Sequence, residues 1–347
     1  MEFAKLMDNQ AFVIRPANLG DLEWFHSIAH MFGSGFTSLP NNKEFLKKRL
    51  TIVEQSFAEK IPVQERIYLF VRENLPDKKI VGTSGVDVSV GYKESFYNYQ
   101  ISTVTQSCEK LNKYVTHSIL NLVNNYQQAS ELISFWIHPE FRGQGMSKSL
   151  SLCRFLFMAQ FTQWFNHDII SEVRGVVDEN GMSPFWDAVG QKFFDMTFKE
   201  ADALTMTQGK QYIADLASRE AIYVDLLPEA AQQVIGKEHP EAHAAYHLLQ
   251  GQGFKFSNHI DIFDGGPLLW AERDHIKTVA DNKIGVVANF ADDITSGTKA
   301  MLYNNKLDAR FTVADVIITS AQEIEIAHTT ADILGIKVGD PVRYCQL

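Results

Sequence analysis

A strand, a short glycine-containing loop and a helix follow one another in one stretch of the chain, and this stretch constrains the fold most. Residues 132–137 are apolar, aromatic and β-branched, as in a buried strand. The loop Arg142-Gly-Gln-Gly-Met-Ser147 comes soon after. From Leu152 to Ala159, apolar residues recur at i, i+3, i+4 and i+7, the spacing of an amphipathic helix. This order predicts an α/β chain.

Segments on either side of this unit indicate further strands and helices. Residues 67–71 and 81–90 are β-rich and flank a polar turn, which predicts two antiparallel neighbours. Residues 168–177 predict another strand, and Ser183-Pro184 then offers an N-cap and a first-turn proline to a helix. We therefore expect an α/β (α+β) fold.

A faint repeat and a change of pattern suggest how the chain is organised. A helix, a turn and an aromatic strand start are predicted twice, 60 positions apart, at Trp186, Val189, Phe194 and at Tyr246, Leu249, Phe254. A duplicated architecture is therefore a second interpretation. From about residue 276 onward, short β-like runs alternate with turn residues, which predicts a small β-rich C-terminal module.

Composition excludes several functional classes. The chain has 32 Lys and Arg against 42 Asp and Glu, a formal net charge of -10, which argues against general binding to nucleic acid or to an anionic membrane surface. No run approaches the roughly 18 apolar residues of a spanning helix. The first ten residues also lack the apolar core of a secretory signal. We expect a cytoplasmic protein that does not act at a membrane.

The cysteines and histidines give little support to a metal site. Cys108, Cys153 and Cys345 are far apart and form no C-x-x-C pair, so neither a disulfide framework nor a thiolate zinc site is expected. Three histidines have helical spacing, at positions 239, 243 and 247. Pro240 favours the first position of a helix, which would leave His239 at the N-cap rather than on the shared face. We expect no metal.

The loop after the predicted strand suits a pyrophosphate group. Small residues let the backbone approach a ligand, and the amides and dipole at a helix start favour negative charge. Arg142 adds a positive charge. The loop is neither a P-loop nor a full dinucleotide fingerprint, and on spacing alone an ordinary connection between a strand and a helix is an equal alternative.

The pattern Arg-x-x-Gly-x-[Gly/Ala] after a strand resembles the acyl-CoA pyrophosphate loop of the GNAT N-acyltransferase superfamily, with Ser147 at the last small position. Longer blocks resemble the arginine N-succinyltransferase family over residues 12 to about 275. They are Phe12-Val-Ile-Arg-Pro, Gly35-Phe-Thr-Ser-Leu-Pro40, Phe96-Tyr-Asn-Tyr99, Arg174-Gly-Val-Val-Asp-Glu-Asn-Gly-Met-Ser-Pro-Phe-Trp186 and Asp261-Ile-Phe-Asp-Gly-Gly-Pro267.

This resemblance implies the residues of a site. The family's proton-donating histidine falls on His239, in the segment Val234-Ile-Gly-Lys-Glu-His-Pro240. Its succinyl-CoA contact falls on Phe135, where relatives tend to hold an aliphatic residue. The pyrophosphate would be held by Arg142, Gly143, Gly145 and Ser147. An imidazole suits this chemistry, because an attacking amine must lose a proton and a leaving thiolate benefits from one.

The same resemblance implies a fold, a reaction and an organisation. The expected fold is a GNAT-like mixed sheet flanked by helices. We expect direct transfer of succinyl from succinyl-CoA, as a co-substrate, to the α-amino group of L-arginine in arginine catabolism, with no permanently bound cofactor. Residues 1–200 would form a GNAT-like acyl-CoA-binding domain, 201–275 a second GNAT-like half with the catalytic histidine, and 276–347 the β-rich module. A homodimer or a pair with a related subunit is expected.

The sequence leaves alternatives open. The acceptor could be ornithine or another amine, the donor could be acetyl-CoA, and the chain could be a non-catalytic acyl-CoA-binding partner subunit. Carboxylates for a guanidinium substrate could come from a charged cluster, but a solvated strand end and loop is the more common role of such a cluster. Its members are Glu172, Arg174, Asp178 and Glu179, which surround Gly175 and Gly181. The same two interpretations apply to Asp261 and Asp264, which flank an aromatic turn.

Overall fold

The structure is a computed structural model that describes residues 11–29, 40–142, 145–178, 181–209, 211–294, 296–319 and 322–347. Its helices are α1 (Leu22–Ala29), α2 (Lys43–Phe57), α3 (Met146–Gln160), α4 (Pro184–Ala188), α5 (Gly190–Phe194), α6 (Phe198–Gln208), α7 (Gln211–Leu216), α8 (Glu229–Val234), α9 (His243–Gln250), α10 (Lys277–Asp281) and α11 (His328–Leu334).

The strands in the described ranges are β1 (Phe12–Pro16), β2 (Ile67–Asn74), β3 (Ile80–Asp87), β4 (Asn98–Cys108), β5 (Lys113–Val123), β6 (Ser130–Ile137), β7 (Asp168–Glu172), β8 (Ile222–Tyr223), β9 (Lys255–Ile260), β10 (Pro267–Glu272), β11 (Lys283–Ala291), β12 (Thr298–Tyr303), β13 (Phe311–Ile318), β14 (Glu323–Ala327) and β15 (Pro341–Gln346). The α/β expectation is confirmed, and the sheet is mixed.

The main part of the sheet has the order β1-β2-β3-β6-β7-β10-β9-β4-β5-β8. Within it β6 and β7 run parallel, whereas the other neighbouring strands are antiparallel. A parallel pair requires a crossover, and α3 supplies it between β6 and β7. The loop that precedes α3 therefore lies at the carboxyl end of β6.

Helices cover both faces of this sheet. Along β2, Tyr68 and Phe70 belong to the core under α3, whereas Leu69 and Val71 belong to the core under α1 and α2. This alternation follows from the two-residue period of a strand, and it requires both faces to be apolar. It explains why β2 has a continuous apolar run.

The two parallel strands part at the edge where the α3 loop begins. They pair at Ser130 with Ile169 and at Glu131 with Ile170, and β6 then continues to Ile137 while β7 keeps β10 as its partner. On its other side, β6 shifts register against β3 and holds Ser134 at a positive φ of 55°. A β-bulge of this kind bends a strand, so it accounts for the gap that opens between β6 and β7 beyond Glu131.

The five C-terminal strands close into a barrel. Their order is β12-β15-β11-β14-β13, and β13 pairs again with β12. The small β-rich module predicted from the sequence is thus a closed five-stranded barrel. It continues the main sheet, because Ile14 of β1 pairs with Phe311 of β13 and Thr312 Oγ1 donates to the Phe12 carbonyl at 2.9 Å.

One feature of the apparent 60-residue repeat is absent from the structure. Phe254 precedes strand β9, but Phe194 ends helix α5 and is followed by helix α6. The Phe194 ring stacks on Trp186 at 5.4 Å, so its aromatic character serves helix packing rather than a strand. The prediction of a strand start there was wrong, and the two segments match only in their helices. None of the described helices has both the length and the apolarity to cross a membrane.

Candidate active site

The loop between β6 and α3 is folded by local hydrogen bonds. His138 Nδ1 accepts the Glu140 N–H at 3.4 Å and caps a short 3₁₀ turn, Pro139–Phe141. The side chain of Arg142 then turns back, and its Nε donates to the Ile137 carbonyl at 3.3 Å. The guanidinium is thereby held beside the end of β6. Gly143 was also assigned to this loop, and it lies outside the described residues.

Gly145 is the N-cap of α3 and has a φ of 74°, a conformation that favours glycine. A Cβ there would meet no atom within 4 Å, so the requirement is conformational rather than steric. Ser147 is half-buried in the first turn of α3. The first amides of a helix have no carbonyl partner within it, so they are available to an anion.

His239 lies in a second loop that has the same local structure. It caps the 3₁₀ turn Pro240–Ala242, with Pro240 at the first position, and its Nδ1 accepts the Glu241 N–H at 3.2 Å. The N-cap position predicted from Pro240 is confirmed. His239 N–H also donates to the Arg174 carbonyl at 2.8 Å, which ties this loop to the segment after β7.

A third loop, residues 261–266, completes the arrangement. Gly236 N–H donates to the Gly265 carbonyl at 2.8 Å. The buried Asp264 carboxylate accepts the Gly175 N–H at 2.7 Å and the Gly266 N–H at 2.8 Å. A Cβ on Gly175 would lie 2.6 Å from the Asp264 carbonyl oxygen, so only glycine fits. Three separate sequence blocks therefore meet around the loop that carries His239.

Glu241 links the histidine loop to the α3 loop. Its carboxylate lies 3.8 Å from Arg142 Nη1 and 3.7 Å from Arg174 Nη1. The fold thus brings together Arg142 and His239, two predicted site residues that are distant in sequence. We did not single out Glu241 from the sequence. The recurrence of His-Pro-Glu at positions 138–140 and 239–241 could have identified it.

The surroundings of His239 favour its neutral form. Burial lowers the pKa of the imidazole below its ordinary value, and the charge of Arg174 acts in the same direction. The charge of Glu241 and a hydrogen bond with the Val177 backbone raise the pKa and oppose this effect. A histidine whose pKa is lowered is poised to accept a proton near neutral pH.

Phe135 is half-buried on β6, one residue after the bulge at Ser134. Its ring faces α3, where the guanidinium of Arg154 lies 5.2 Å from the ring centroid. Burial lowers the pKa of Arg154 to about 10. Phe135 therefore lies on the strand that borders the gap, on the same face of the sheet as α3.

Most carboxylates of the charged cluster and of the aromatic turn are used by the protein itself. Asp178 accepts the Met182 N–H at 2.8 Å, and Asp261 accepts the Phe263 N–H at 2.7 Å. Burial and the charge of Asp261 raise the pKa of Asp264 well above its ordinary range. Glu172 accepts from Asn98 Nδ2 at 2.8 Å. Glu179 lies outside the described residues. Asp178, Asp261 and Asp264 therefore stabilise the loops in which they lie.

Two of the three histidines that have helical spacing in the sequence contact each other. His243 and His247 approach at 2.9 Å between their Nε2 atoms, and Glu238 contacts His243 Nδ1 at 2.8 Å. His239 stands apart from this pair because its ring caps the turn before α9. No group of three metal-ligating side chains was found among the described residues.

A family model and curated relatives that match this chain carry the same description. The family model described as the arginine N-succinyltransferase beta subunit matches residues 12–278. Curated relatives named arginine N-succinyltransferase include one from Enterobacter sp., 34% identical over 335 residues, 96% of this chain and 97% of the relative. Another, from Yersinia enterocolitica, is 36% identical over 337 residues, again 96% of this chain and 97% of the relative.

A solved structure is similar over nearly its full length. It is the arginine/ornithine succinyltransferase subunit AI from Pseudomonas aeruginosa, with a TM-score of 0.88 and 31% identity. The match covers 97% of this chain and 99% of that one. The C-terminal barrel, which the family model does not reach, therefore falls almost wholly within the matched length.

Proposed function

This chain belongs to the arginine N-succinyltransferase family, and on that premise we propose that it transfers the succinyl group of succinyl-CoA to the α-amino nitrogen of L-arginine. The observation that carries the proposal is the meeting of His239 with Arg142 across Glu241. It supports a role for His239 as the proton carrier next to the end of β6 and to the loop that we assign to the acyl-CoA pyrophosphate.

His239 is assigned the movement of the proton. The α-ammonium group of the acceptor loses a proton, and the free amine then attacks the thioester carbonyl carbon. Collapse of the tetrahedral adduct forms the amide, breaks the carbon–sulfur bond and releases the CoA thiolate. The nitrogen loses two protons in all. The first leaves the ammonium group for solvent before the attack, and neutral His239 accepts the second from the nitrogen of the tetrahedral adduct and returns it to the sulfur. Its lowered pKa keeps the imidazole neutral, so that it is available as a base, and makes the imidazolium a stronger acid towards the sulfur.

Direct attack by the amine, without an acyl-enzyme, agrees with the state of two cysteines. Burial raises the pKa of the Cys153 thiol to about 11 and that of Cys345 to about 11. A nucleophilic cysteine needs a lowered pKa. Both substrates would then be bound together before transfer, as a ternary complex in which the reacting groups are held close.

We assign the donor, succinyl-CoA, to the gap between β6 and β7 and to the loop before α3. Gly145 and Ser147, with Gly143 from the resemblance, would hold the pyrophosphate through backbone amides, and Arg142 would add its charge. The acyl-pantetheine arm would lie between β6 and β7, beside Phe135, in a GNAT-like manner. Beyond Glu131, β6 pairs with β3 but has no β7 partner among the described residues, so backbone groups there can meet the amides of the arm.

A second candidate acceptor is ornithine. The similar structure from Pseudomonas aeruginosa is named an arginine/ornithine succinyltransferase subunit, and it matches almost all of this chain. Its name also supports pairing with a second subunit, either identical or related. Ornithine has the same α-amino group as arginine, so the proposed mechanism is the same for both acceptors.

The test is release of free thiol from purified protein. Succinyl-CoA and acetyl-CoA are each combined with L-arginine and with L-ornithine. We expect the succinyl-CoA and arginine pair to react fastest. Preference for another pair would overturn the substrate assignment and keep the mechanism. If all four pairs fail while the folded protein still binds CoA, the chain is a non-catalytic subunit that needs its partner.

A further inference from the structure

A basic cavity lies beside α3, between α9, α10 and the barrel. Its volume is about 780 Å³. Lys148 of α3, Lys277 of α10 and Lys283 of β11 line it, and Asp281 is the acidic residue in the same lining. Three lysines against one aspartate leave two positive charges in excess, on a chain whose formal net charge is -10. Such a local charge indicates an anionic ligand.

The three ammonium groups form no ion pair with the part of the chain that the structure describes. None of them lies within 4.0 Å of a carboxylate oxygen among the residues that the structure describes. All three side chains are exposed, so their charges face the open cavity without the cost of burial. A ligand phosphate could therefore contact them without displacing an existing ion pair, and each charge-assisted hydrogen bond would add to its binding.

The walls of the cavity are held in place by polar contacts. Lys277 N–H donates to the Gln252 carbonyl and Thr278 N–H to Gln252 Oε1, both at 3.0 Å, which fixes the start of α10. The guanidinium of the buried Arg343 donates to Gln160 Oε1 at 2.7 Å and to Asn282 Oδ1, joining β15 to α3 and to the end of α10. The elements that carry the three lysines are thus held in place before a ligand binds.

The cavity adjoins the loop assigned to the pyrophosphate. Lys148 lies in the first turn of α3, and its N–H donates to the Gly145 carbonyl at 3.3 Å. In CoA, the pyrophosphate joins the pantetheine arm to an adenosine that carries a 3′-phosphate. Once the pyrophosphate is at Gly145, the adenosine end must continue from there, and a ligand cavity of this size can take a nucleoside.

We propose that Lys148, Lys277 and Lys283 bind the 3′-phosphate of the phosphoadenosine end of CoA in this cavity, an inference that rests on the proposed acyl-CoA donor. Ser151 and Thr278 of the lining have hydroxyl groups that can meet the sugar or the base. Because Lys283 belongs to the barrel, the C-terminal module takes part in donor binding.

The test compares CoA with 3′-dephospho-CoA by isothermal titration calorimetry. The wild-type chain should bind CoA at least about tenfold more tightly, since a charge-assisted phosphate contact is worth that factor or more. Single Lys148→Gln, Lys277→Gln and Lys283→Gln changes should each weaken CoA by several-fold and leave 3′-dephospho-CoA unchanged. Lys110→Gln, at an exposed position in the turn between β4 and β5, is the matched control and should leave both ligands unchanged.

Two results would overturn this inference. One is equal wild-type affinity for the two ligands, and the other is a preference that survives all three substitutions. A free nucleotide is the other source of the same chemistry, so adenosine 3′,5′-bisphosphate is added as a competitor. Competition with CoA supports the proposal. Binding of the nucleotide without competition would instead assign the cavity to a free nucleotide.

Failure of the proposed function would look different. In that case thiol release would be absent with succinyl-CoA and arginine, whatever the ratio of the two binding constants. Calorimetry does not require turnover, so the assignment of the cavity is decided in either case. Thermal unfolding of each variant confirms that the substitutions leave the fold intact.

Discussion

At the scale of single residues, His239 combines a structural and a chemical role. As the N-cap of its turn it accepts the Glu241 N–H on Nδ1, so the neutral ring carries its proton on Nε2. A second proton must go to Nδ1 and break that hydrogen bond. The cap therefore opposes protonation, in the same direction as burial and the charge of Arg174.

Substitution of His239 by asparagine separates these two roles. Asparagine is a good N-cap, so we expect the free energy of unfolding to change by no more than about 1 kcal/mol. Asparagine cannot carry the proton, so kcat should fall on the order of 10²-fold or more while the affinity for CoA stays the same. Steady-state kinetics, denaturant unfolding and calorimetry measure the three quantities. Full activity of this variant would remove His239 from the mechanism.

Neutralising the two charges beside His239 should shift its titration in opposite directions. Arg174→Gln removes a cation that lowers the pKa, so the pKa rises and the acidic limb of kcat/KM moves to higher pH. Glu241→Gln removes an anion that raises the pKa, so the limb moves to lower pH. NMR titration of the imidazole reports the same pKa without substrate. Two shifts of the same sign would contradict the electrostatic assignment.

At the scale of elements, short sequence patterns predicted many of the helices, strands and caps. They predicted little of the pairing between segments that are distant in sequence. The strand before the loop, the helix after it, and the caps at Ser183 and His239 follow from short sequence patterns, and each is confirmed. Strand β7 ends at Glu172 rather than continuing to Val177, because the chain there turns to meet the other two loops. Glu241 was missed because its importance depends on arginines far away in sequence.

The N-cap glycine of α3 permits a test with an internal control. Gly145 and Gly339 both have a positive φ, and a Cβ at either meets no atom within 4 Å. Replacement of either by alanine should therefore cost a similar amount of stability, roughly 1 kcal/mol. Only Gly145→Ala should also raise the KM for succinyl-CoA, since it changes the amides assigned to the pyrophosphate. Equal KM values for the two variants would count against that assignment.

At the scale of the whole molecule, the barrel and the main sheet form one structure. Phe311 of β13 is fully buried, stacks on Tyr303 at 4.4 Å and meets Phe70 of β2 edge-on at 5.5 Å. Tyr303 and Phe311 of the barrel therefore belong to the core under α3. The sequence predicted a β-rich module, but neither barrel closure nor this junction, because both depend on pairings between distant segments.

Phe311→Ala tests this junction. Loss of a buried phenylalanine typically costs about 3–5 kcal/mol, and we expect a loss in that range for the free energy of unfolding. Denaturant unfolding should remain a single transition when followed by tryptophan fluorescence and by circular dichroism. Val338→Ala, at an exposed position in the loop between α11 and β15, should change stability by less than about 0.5 kcal/mol. A separate early transition would show that the barrel unfolds on its own.

The parting of β6 and β7 has a consequence for the exchange of backbone amides with solvent. Interior strands of a sheet normally protect their amides on both sides, whereas after Glu131 the described residues give β6 no partner on the β7 side. A ligand arm in the gap would act as a substitute strand. Deuterium uptake at residues 132–137 should therefore slow when CoA binds, while uptake in β2, which has strands on both sides, stays unchanged.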